Sequence, residues 1–508
     1  MTTLRPAPVP DEVFVDLPAR LRRAAADRPG DTALIDDARG LDTAALARLM
    51  DQCASRLITL GLRPGDVLAT VAGTTADHVV LYLGALAAGA AVAPLPGSAH
   101  PDALARMLDN AAPRLTFADA DAPALPGQVH PVDGLIGALA DTAPAPPRAV
   151  APEALFDVIY SSGTTGAPKG IEHDALFRDR QVRRMASYGL GPGTVTLIST
   201  PVCSNTTLAA LWPSLGLGGA VVLMRRFDTE GWLALAQRHR VTHTMLVPVQ
   251  YRRLLDDPGF DAADLSAFVC KLSTSAPLPA PLSAEILARW PGRMINIYGM
   301  TEGGVSAVLD CGARPDKLHS VGRAVTGAEI RVIDARGRPL PAGEVGEVVG
   351  RSTTVMRGYR GAPQATRDAT WTDADGHDFV RTGDMGRLDA EGFLTLLDRR
   401  RDMIVSGGFN IFAADLEEVL HGHPDVAEAA VVAAPSARWG ETPLAFVARR
   451  PGAATGADAL RDWANERLGR TQRLSGVRLL QALPRNAIGK VLKRELRDRA
   501  ADAPGETV

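Results

Sequence analysis

Stretches with the spacing of amphipathic helices alternate with short apolar, β-branched runs along most of this chain. Helical spacing marks 44–57 and 102–109, for example, whereas 67–71 and 115–117 have the composition of strands. Alternation of this kind is typical of layered α/β folds, in which helices cover a mainly parallel sheet. No segment repeats with a period of about 20 to 50 residues, so neither a solenoid nor a propeller is indicated.

The pattern changes near residue 329. From there to 398 it consists of strands and tight turns, which predicts a β-rich subdomain, and the remaining 399–508 has the pattern of a compact α+β unit of ordinary domain size. The charged run 398–402 is the hinge candidate, with a solvated turn as the alternative. We therefore predict an α/β protein with a large layered N-terminal domain, 1–398, and a small mobile α+β C-terminal domain, 399–508.

Two long uncharged stretches, 79–96 and 206–224, bear on whether the chain enters a membrane. Each is near the lower length limit for a span and is rich in small residues or proline, so a buried helix followed by a buried strand explains each one better. The first residues lack an apolar core behind a basic tip, and no signal peptide is predicted. The four cysteines are widely spaced, as expected for buried thiols in a reducing compartment. We predict a cytoplasmic protein without a membrane span.

The charge balance excludes one class of partner. The chain carries 55 basic and 58 acidic residues, a formal net charge of −3. It therefore lacks the strong basic field that non-specific nucleic-acid binding requires. We predict no nucleic-acid partner, and the sequence leaves the oligomeric state open, a homodimer included.

A glycine- and threonine-rich segment, Ser-Ser-Gly-Thr-Thr-Gly-Ala-Pro-Lys-Gly at 161–170, directly follows an apolar strand pattern. Its glycines allow a tight turn whose N–H groups can face a phosphate, its hydroxyls add donors, and Lys169 adds a positive charge. The spacing is not that of a Walker A loop, because Gly163, Gly166 and Lys169 are three residues apart. These residues alone leave open a phosphate-binding loop or an ordinary turn.

Five segments, taken in order, decide between those alternatives. The segment 160–170 resembles the phosphate loop of the adenylate-forming superfamily, which includes acyl- and aryl-CoA ligases, peptide-synthetase adenylation domains and luciferases. Four later segments resemble the other signatures of the superfamily. They are Asn-Ile-Tyr-Gly-Met-Thr-Glu-Gly at 296–303, Arg-Thr-Gly-Asp at 381–384, Asp-Arg-Arg-Arg-Asp-Met-Ile-Val-Ser-Gly-Gly-Phe-Asn at 398–410 and Leu-Pro-Arg-Asn-Ala-Ile-Gly-Lys at 483–490. Because these segments span nearly the whole chain, it is identified as a member of this superfamily, closest to bacterial acyl/aryl-CoA ligases.

The resemblance implies that ATP activates a carboxylic acid to an acyl-adenylate with release of pyrophosphate, and that coenzyme A then receives the acyl group. Positioning and charge neutralisation supply most of the catalysis in such transfers. By resemblance, Glu302 binds Mg²⁺, Thr301 contacts the α-phosphate and Tyr298 lies against the adenine. The residues implied to hold the β- and γ-phosphates are Ser161, Ser162, Gly163, Thr164, Thr165, Gly166 and Lys169.

Further roles follow from the later signatures. Asp384 is implied to accept both ribose hydroxyls, and Arg399 to contact the nucleotide just before the hinge. Lys490 is implied to bridge the carboxylate and the α-phosphate, where it stabilises negative charge in the transition state. Arg401 takes the pivot position, where relatives usually carry Lys or Asp. Each of these residues in isolation would more often be a surface charge, but five ordered signatures favour the functional interpretation.

The resemblance also implies a site for coenzyme A. Gly407 and Gly408 would face the thiol channel, since only glycine lets a pantetheine arm pass so close to the backbone. Trp439 resembles a residue that packs on that arm in aryl-CoA ligases, and Arg473 lies where those ligases often carry a base for the CoA phosphates. A core tryptophan and a solvated arginine are the alternatives for these last two residues.

The segment Thr-Pro-Val-Cys-Ser-Asn-Thr-Thr at 200–207 departs from the pattern of many acyl-CoA ligases, which carry an aromatic residue and histidine where this chain has Cys203 and Ser204. A wider or differently shaped carboxylate pocket is expected. No charged side chain occurs from 199 to 224, and burying an unpaired substrate ammonium would cost on the order of several kcal/mol. An uncharged aryl, alicyclic or medium-length acyl group therefore fits better than an amino acid. The predicted pocket residues are Ser204, Asn205, Trp212, Val247, Ser275 and Met300, although a tryptophan such as Trp212 is more often core.

Two other functions share these signatures. An amide-bond synthetase or a carrier-protein loading enzyme would use the same Glu302, Asp384 and Lys490, and would differ in whether the 407–408 channel and Arg473 receive coenzyme A. A non-catalytic nucleotide-binding protein would be expected to lack Lys490 or Glu302, and both are present. We therefore rank the acid–CoA ligase first, acyl transfer to an amine or carrier second, and the non-catalytic protein third.

Overall fold

A computed structural model describes residues 13–161, 169–399, 402–406, 409–436, 438–469, 472–486 and 489–501, with the backbone alone at 161, 398, 399, 409 and 410. Contacts divide the chain into two units. The first comprises Met1–Leu318, Ala324–Ile330 and Gly350–Val380, and the second His319–Arg323, Arg331–Val349 and Arg381–Val508. The predicted boundary between 398 and 399 separates a large domain from one that is expected to rotate. These units are defined by contacts and not by motion, so that boundary stays a prediction.

Several helices begin where a capping side chain is available. Asp42, Asp174 and Asp228 each accept an N–H bond from the first turn of the helix that follows. The helices are α1 Leu17–Asp27, α2 Thr43–Thr59, α3 Ala76–Ala87, α4 Pro101–Ala111, α5 Leu135–Ala138, α6 Ala175–Ala186, α7 Asn205–Gly216, α8 Thr229–Arg238, α9 Pro248–Leu255, α10 Ala280–Arg289, α11 Pro363–Asp368, α12 Ala413–His421, α13 Ala457–Asn465 and α14 Lys493–Ala501.

Most strands are short, and several of them are buried along their whole length. The strands are β1 Thr32–Ile35, β2 Gly40–Asp42, β3 Val67–Val71, β4 Ala91–Pro94, β5 Leu115–Ala118, β6 Val129–Pro131, β7 Leu155–Ser161, β8 Lys169–Asp174, β9 Val195–Ile198, β10 Ala220–Leu223, β11 His243–Leu246, β12 Cys270–Ser273, β13 Arg293–Gly299, β14 Ser306–Asp310, β15 Arg323–Ala324, β16 Glu329–Ile333, β17 Gly346–Arg351, β18 Gly358–Tyr359, β19 Thr370–Thr372, β20 Asp378–Leu388, β21 Leu394–Arg399, β22 Ile404–Ser406, β23 Phe409–Ile411, β24 Val426–Ser436, β25 Gly440–Arg449 and β26 Gly476–Leu480.

Two large sheets form the scaffold of the first unit. One has nine strands in the order β15-β14-β13-β12-β11-β9-β10-β1-β2, and its strands from β10 to β13 are parallel. The other has seven strands in the order β18-β8-β7-β4-β3-β5-β6. In β10, β11 and β12 every residue is buried, as expected for parallel strands covered on both faces. The predicted α/β layering is confirmed.

The two uncharged stretches form the predicted helix-to-strand pairs. The first is α3 followed by β4 and the second is α7 followed by β10, and α3 and β4 are buried throughout. Over the residues that the structure describes, no helix combines the length and the apolar character needed to cross a membrane. Two short elements, β6 and α5, lie between residues 121 and 152, a segment rich in alanine, proline and aspartate. These elements are three and four residues long, too short for a periodicity to be read from the sequence.

The second unit has its own core. Its C-terminal part is a five-stranded sheet in the order β23-β22-β25-β24, with β26 beside β25. Apolar side chains of α12 and α13, such as Leu416 and Leu460, share a buried cluster with this sheet, and Leu496 of α14 joins Phe446 in another. The strands predicted from 329 to 398 are present, and β20 and β21 pair as an antiparallel ladder.

Candidate functional site

The predicted pocket residues follow the carboxyl ends of neighbouring parallel strands. Ser204 comes after β9, Val247 after β11, Ser275 after β12 and Met300 after β13. These four strands are neighbours in the sheet, in the order β13-β12-β11-β9. Because ligands of open α/β sheets bind outside the carboxyl ends of the strands, this edge is where a small-molecule site is expected.

The start of α7 is tied to the loop after β12. The Ser204 side chain caps α7 by accepting the Thr206 N–H at 3.2 Å, and the hydroxyls of Thr206 and Ser275 are hydrogen bonded to each other. Ser275 has a φ of +73°, a left-handed conformation that non-glycine residues adopt rarely and often at functional sites. Three polar groups are thereby held together at the sheet edge.

Two residues of this region have a different character. Trp212 is fully buried in the core, and its ring centroid lies 4.8 Å from that of Tyr82. We therefore correct the prediction that it lines the pocket. Cys203 is partly buried, and burial raises the pKa of its thiol to about 11. The thiol is thus protonated near neutral pH, and Cys203 contributes a small apolar surface rather than a nucleophile.

The glycine- and threonine-rich segment connects β7 and β8, which are antiparallel. The backbones of Ser161 and Lys169 pair directly, so the segment closes a hairpin. The loop residues Ser162, Gly163, Thr164, Thr165 and Gly166 lie outside the described residues. At the end of the hairpin the Lys169 ammonium lies 4.9 Å from the centroid of the Tyr359 ring, within the range of a cation–π interaction.

The same tyrosine contacts the predicted metal ligand. The Tyr359 hydroxyl donates a hydrogen bond of 2.8 Å to Glu302 Oε1. Burial, together with the charge of Glu302, raises the pKa of Tyr359, so the hydroxyl stays protonated and remains a donor. Lys169 and Glu302 are thus brought together on one aromatic side chain. A carboxylate beside a lysine ammonium suits a polyphosphate with its divalent cation.

The loop that carries Thr301 and Glu302 fits closely against residues 354–356. The Glu302 carbonyl accepts the Met356 N–H at 2.7 Å. Gly303 has a φ of +69°, and a Cβ atom at this position would lie 2.4 Å from the Thr354 carbonyl oxygen. Only glycine fits at residue 303. At the start of the loop, the Tyr298 backbone pairs with Ala307 in the β13–β14 ladder.

A buried polar network beneath this loop was not predicted from the sequence. Asp157, in β7, is fully buried, and its carboxylate accepts hydrogen bonds from His173 Nδ1 at 2.6 Å and from Arg178 Nη2 at 2.6 Å. His173 Nε2 lies 2.7 Å from the Thr301 carbonyl oxygen. Arg178 Nη1 donates to Asn205 Oδ1 at 2.8 Å. The network therefore reaches two of the predicted site residues.

The charges in this network outweigh the effect of burial. Burial would raise the pKa of Asp157, but Arg178 and His173 hold it below its ordinary value. The sequence did contain one signal, because Asp157 interrupts the apolar strand Leu-Phe-Asp-Val-Ile-Tyr-Ser. A carboxylate at a buried strand position requires a cationic partner.

In the second unit, Asp384 occupies β20, directly opposite Arg399 of β21. Its N–H donates to Thr382 Oγ1 at 3.0 Å, and the Thr382 hydroxyl donates to the Val348 carbonyl at 2.8 Å. Arg381, the first residue of the same signature, forms an ion pair with Glu347. The structure thus brings together the backbones of the two predicted nucleotide contacts of this unit.

Lys490 lies on a closed turn. Its N–H donates to Asn486 Oδ1 at 2.9 Å, and its carbonyl accepts the Asn486 N–H at 3.0 Å. Arg485 and Val491 form a bridge at the base of the turn. Gly489 has a φ of +78°, which allows the chain to reverse direction there. The backbone position of Lys490 is therefore set by contacts within the turn.

The residues predicted to contact coenzyme A that the structure describes are at the surface. Trp439 is 49% exposed, which removes the core alternative, and the Arg438 guanidinium lies 4.7 Å from its ring centroid. Arg473 is exposed as well. The predicted hinge residue Arg401 and the channel residues Gly407 and Gly408 lie outside the described residues.

Family models match most of the chain. The model for AMP-binding enzymes matches residues 21–360, and that for the AMP-binding enzyme C-terminal domain matches 415–490. A fatty acid–[acyl-carrier-protein] ligase of Streptomyces coeruleorubidus is 31% identical, over 94% of this chain and 94% of that protein. A feruloyl-CoA synthase of an Amycolatopsis species is 32% identical, over 94% of this chain and 97% of that protein.

Solved structures agree with these matches. An o-succinylbenzoate-CoA synthetase of Bacillus subtilis, in complex with its acyl-adenylate intermediate, superposes with a TM-score of 0.84 at 28% identity, covering 96% of this chain and 99% of that one. An amide bond synthetase of Marinactinospora thermotolerans also has a TM-score of 0.84, at 27% identity, covering 96% of this chain and 100% of that one.

Proposed function

The chain belongs to the family of AMP-binding enzymes and is an ATP-dependent acid–CoA ligase, and we propose that it activates an uncharged aryl, alicyclic or medium-length acyl acid in a reaction that requires Mg²⁺. One observation carries the proposal. Tyr359 joins the predicted phosphate lysine, Lys169, to the predicted metal ligand, Glu302. A cation and a carboxylate held on one side chain match the chemistry of a metal-bound polyphosphate.

In the first step a carboxylate oxygen of the acid attacks the α-phosphorus of ATP. The bond from that phosphorus to the bridging oxygen breaks, and pyrophosphate leaves. Lys169 and the 161–170 loop would hold the β- and γ-phosphates, and Thr301 would contact the α-phosphate. Mg²⁺ bound by Glu302 would neutralise phosphate charge. Lys490 would stabilise the negative charge that forms on the α-phosphate and the entering carboxylate.

In the second step the sulfur of coenzyme A attacks the acyl carbonyl of the adenylate. The bond from the acyl carbon to the phosphate oxygen breaks, AMP leaves, and the thiol proton passes to solvent. The exposure of Trp439 supports a role in packing on the pantetheine arm. Arg473, which is also exposed, would pair with a CoA phosphate. Asp384 would hold the ribose and Tyr298 the adenine throughout.

The class of acid follows from the sheet edge. Ser204, Ser275 and the uncharged stretch 199–224 provide hydroxyls and apolar surface but no carboxylate for a substrate ammonium. Arg178, a charged residue beside Asn205, has its guanidinium engaged by Asp157 and Asn205. An amino acid is therefore disfavoured, and Asn205, Val247 and Met300 remain in the proposed pocket.

The alternative acceptors are an amine and a carrier protein. They have specific support, because an amide bond synthetase and a carrier-protein ligase are among the similar proteins. The adenylation step would be the same for all three acceptors. The acceptor is therefore identified by the product and not by the release of pyrophosphate.

The test is pyrophosphate release over a panel of aryl, alicyclic and fatty acids with ATP and Mg²⁺, with and without coenzyme A, with products identified by mass spectrometry. We expect release that depends on both the acid and Mg²⁺, and a CoA thioester when coenzyme A is present. Trp439→Ala should raise the KM for coenzyme A about tenfold and leave acid-dependent pyrophosphate release unchanged. Lack of release with every acid contradicts the proposal, and an adenylate without a thioester moves the assignment to an amine or a carrier protein.

A further inference from the structure

His173 lies in the buried network beneath the nucleotide loop, with an oxygen acceptor at each ring nitrogen. Nδ1 lies 2.6 Å from Asp157 Oδ1, and Nε2 lies 2.7 Å from the Thr301 carbonyl oxygen. A neutral imidazole has one N–H, so one of its nitrogens would present a lone pair to an oxygen lone pair. At these distances such a contact is repulsive. Because Arg178 keeps the Asp157 carboxyl ionised, it can only accept, and both contacts are hydrogen bonds only if the ring carries two protons.

The surroundings of His173 are compatible with a cation. Its ring is stacked on Phe177, with the centroids 4.1 Å apart and the planes inclined by 17°, an arrangement that favours a positively charged ring. The charged and titratable groups that face it are Asp157 in β7, Arg178 in α6, the adjacent Asp174, and Tyr82 of α3 through Asp157. Asp157 thus faces both Arg178 and a protonated His173, and Asp174 adds a second carboxylate, which also faces Arg180 and Arg357.

The contact between Arg178 and the ring does not change this conclusion. Arg178 Nη2 lies 3.1 Å from His173 Nδ1 but only 2.6 Å from Asp157 Oδ2. Arg178 Nε also donates to Asp157 Oδ2, at 2.9 Å. The guanidinium is therefore directed at the carboxylate. A neutral ring that accepted from Arg178 would still place its Nδ1 lone pair 2.6 Å from Asp157 Oδ1.

The network ends at two positions that matter for the reaction. One is the carbonyl of Thr301, the residue that precedes Glu302. The other is Asn205, the first residue of α7 at the proposed acid pocket. Both are reached from the single carboxylate of Asp157, through His173 in one direction and Arg178 in the other.

We propose that His173 is a doubly protonated positioning residue that fixes the Thr301 carbonyl, and that its partner Asp157 couples the nucleotide loop to Asn205 at the acid pocket through Arg178. The inference rests on the proposed function, because it assigns Thr301 to the α-phosphate. His173 itself touches no substrate. Its role is to keep the backbone of the loop where Thr301 and Glu302 can act, and displacement of such a loop by about 1 Å can cost up to about 100-fold in rate.

The first experiment needs no substrate. The protein labelled with ¹⁵N at its histidine rings should show both nitrogens of His173 protonated at pH 7, with the signal assigned by its loss in His173→Phe. If that variant does not fold, His173→Gln provides the assignment. A spectrum with one protonated and one unprotonated nitrogen overturns the proposal. Because this result does not depend on any acid, it stays informative even if the wild-type enzyme activates none.

The second experiment compares two buried histidines with the same substitution. His243 is also fully buried, and its ring contacts the Thr242 hydroxyl and the Tyr188 carbonyl rather than the nucleotide loop. With an acid that the wild-type enzyme activates, His173→Phe should lower kcat for pyrophosphate release about 10- to 100-fold per folded molecule, and His243→Phe less than about threefold. Equal losses of kcat in the two variants would show that His173 is only a packing residue. Failure of the wild-type enzyme to activate any acid would instead count against the proposed function.

Discussion

The candidate residues of the two units are held in different ways. In the first unit, Thr301 and Asn205 are hydrogen bonded to a network of buried polar side chains from β7, β8 and α6. In the second unit, Lys490 is positioned by hydrogen bonds within its own turn, and Trp439 lies at the surface. The first arrangement makes the site part of the folding core, whereas in the second the backbone of Lys490 is held by local hydrogen bonds.

This difference has consequences for mutation. A change in the buried network removes a partner from a charge that has no access to water, so stability and activity should fall together. A change on the Lys490 turn removes one side chain and leaves the buried clusters of its unit intact. Activity should then fall without a change in stability. Of the three variants below, two test one side of this contrast each, and the third tests a partly buried contact between them.

Asp157→Asn should have the largest effect. It leaves the Arg178 guanidinium buried without its carboxylate, and losing one partner of a buried pair costs about 3–5 kcal/mol in the free energy of unfolding. Urea denaturation measures the loss, with Asp261→Asn as the control, since Asp261 pairs with Arg289 at the surface. A loss no larger than that of the control would contradict the buried-charge argument.

The same pair predicts a dependence of stability on pH. The pKa of Asp157 in the folded protein lies below its ordinary value, so the carboxylate contributes fully above the ordinary range of aspartate, near about 4. That contribution is lost as the pH falls through the folded value. The free energy of unfolding of Asp157→Asn should therefore decrease less steeply at acid pH than that of the wild-type protein.

Much of the fold could be predicted from the sequence because periodicity and composition are local properties. The predicted strand 67–71 is β3, and the predicted helix 44–57 lies within α2. The order of strands in the sheets could not be obtained in this way, since it depends on pairing between distant segments. That order brings Val247, Ser275 and Met300 to one edge.

The site was predicted in outline from the five signatures, but its supporting contacts were not. Tyr359 is 57 residues from its partner Glu302 along the chain, and Arg178 is 27 residues from Asn205. The prediction that Trp212 lines the pocket was wrong for a similar reason. An apolar side chain on a helix without charges gives no sign of which face meets the core, and the packing of α7 places it against Tyr82.

Lys490→Ala tests the opposite side of the contrast. Removing one group that stabilises transition-state charge typically costs about 10²- to 10³-fold in kcat, and we expect that loss in acid-dependent pyrophosphate release. The midpoint of thermal unfolding should stay within about 2 °C of the wild-type value, because the turn keeps its backbone hydrogen bonds. The matched control is Lys493→Ala, which removes a nearby lysine that pairs with Glu417 at 2.9 Å. A comparable loss of kcat in the control, or a large loss of stability in Lys490→Ala, would contradict the expectation.

Tyr359→Phe changes a contact that is neither in the buried network nor on the Lys490 turn. It should have the smallest effect of the three variants. It keeps the ring beside Lys169 but removes the hydroxyl that donates to Glu302. A hydrogen bond to a charged group contributes about 1.5–3 kcal/mol at most sites, and partial replacement by water should reduce the loss here. We expect the Mg²⁺ concentration for half-maximal activity to rise about three- to tenfold, with little change in the KM for the acid. Tyr251→Phe removes a buried hydroxyl that donates to the Leu272 carbonyl at 2.9 Å, and it should lower stability without changing the Mg²⁺ dependence. If both variants shift the Mg²⁺ dependence equally, the Tyr359 hydroxyl acts through the fold and not through Glu302.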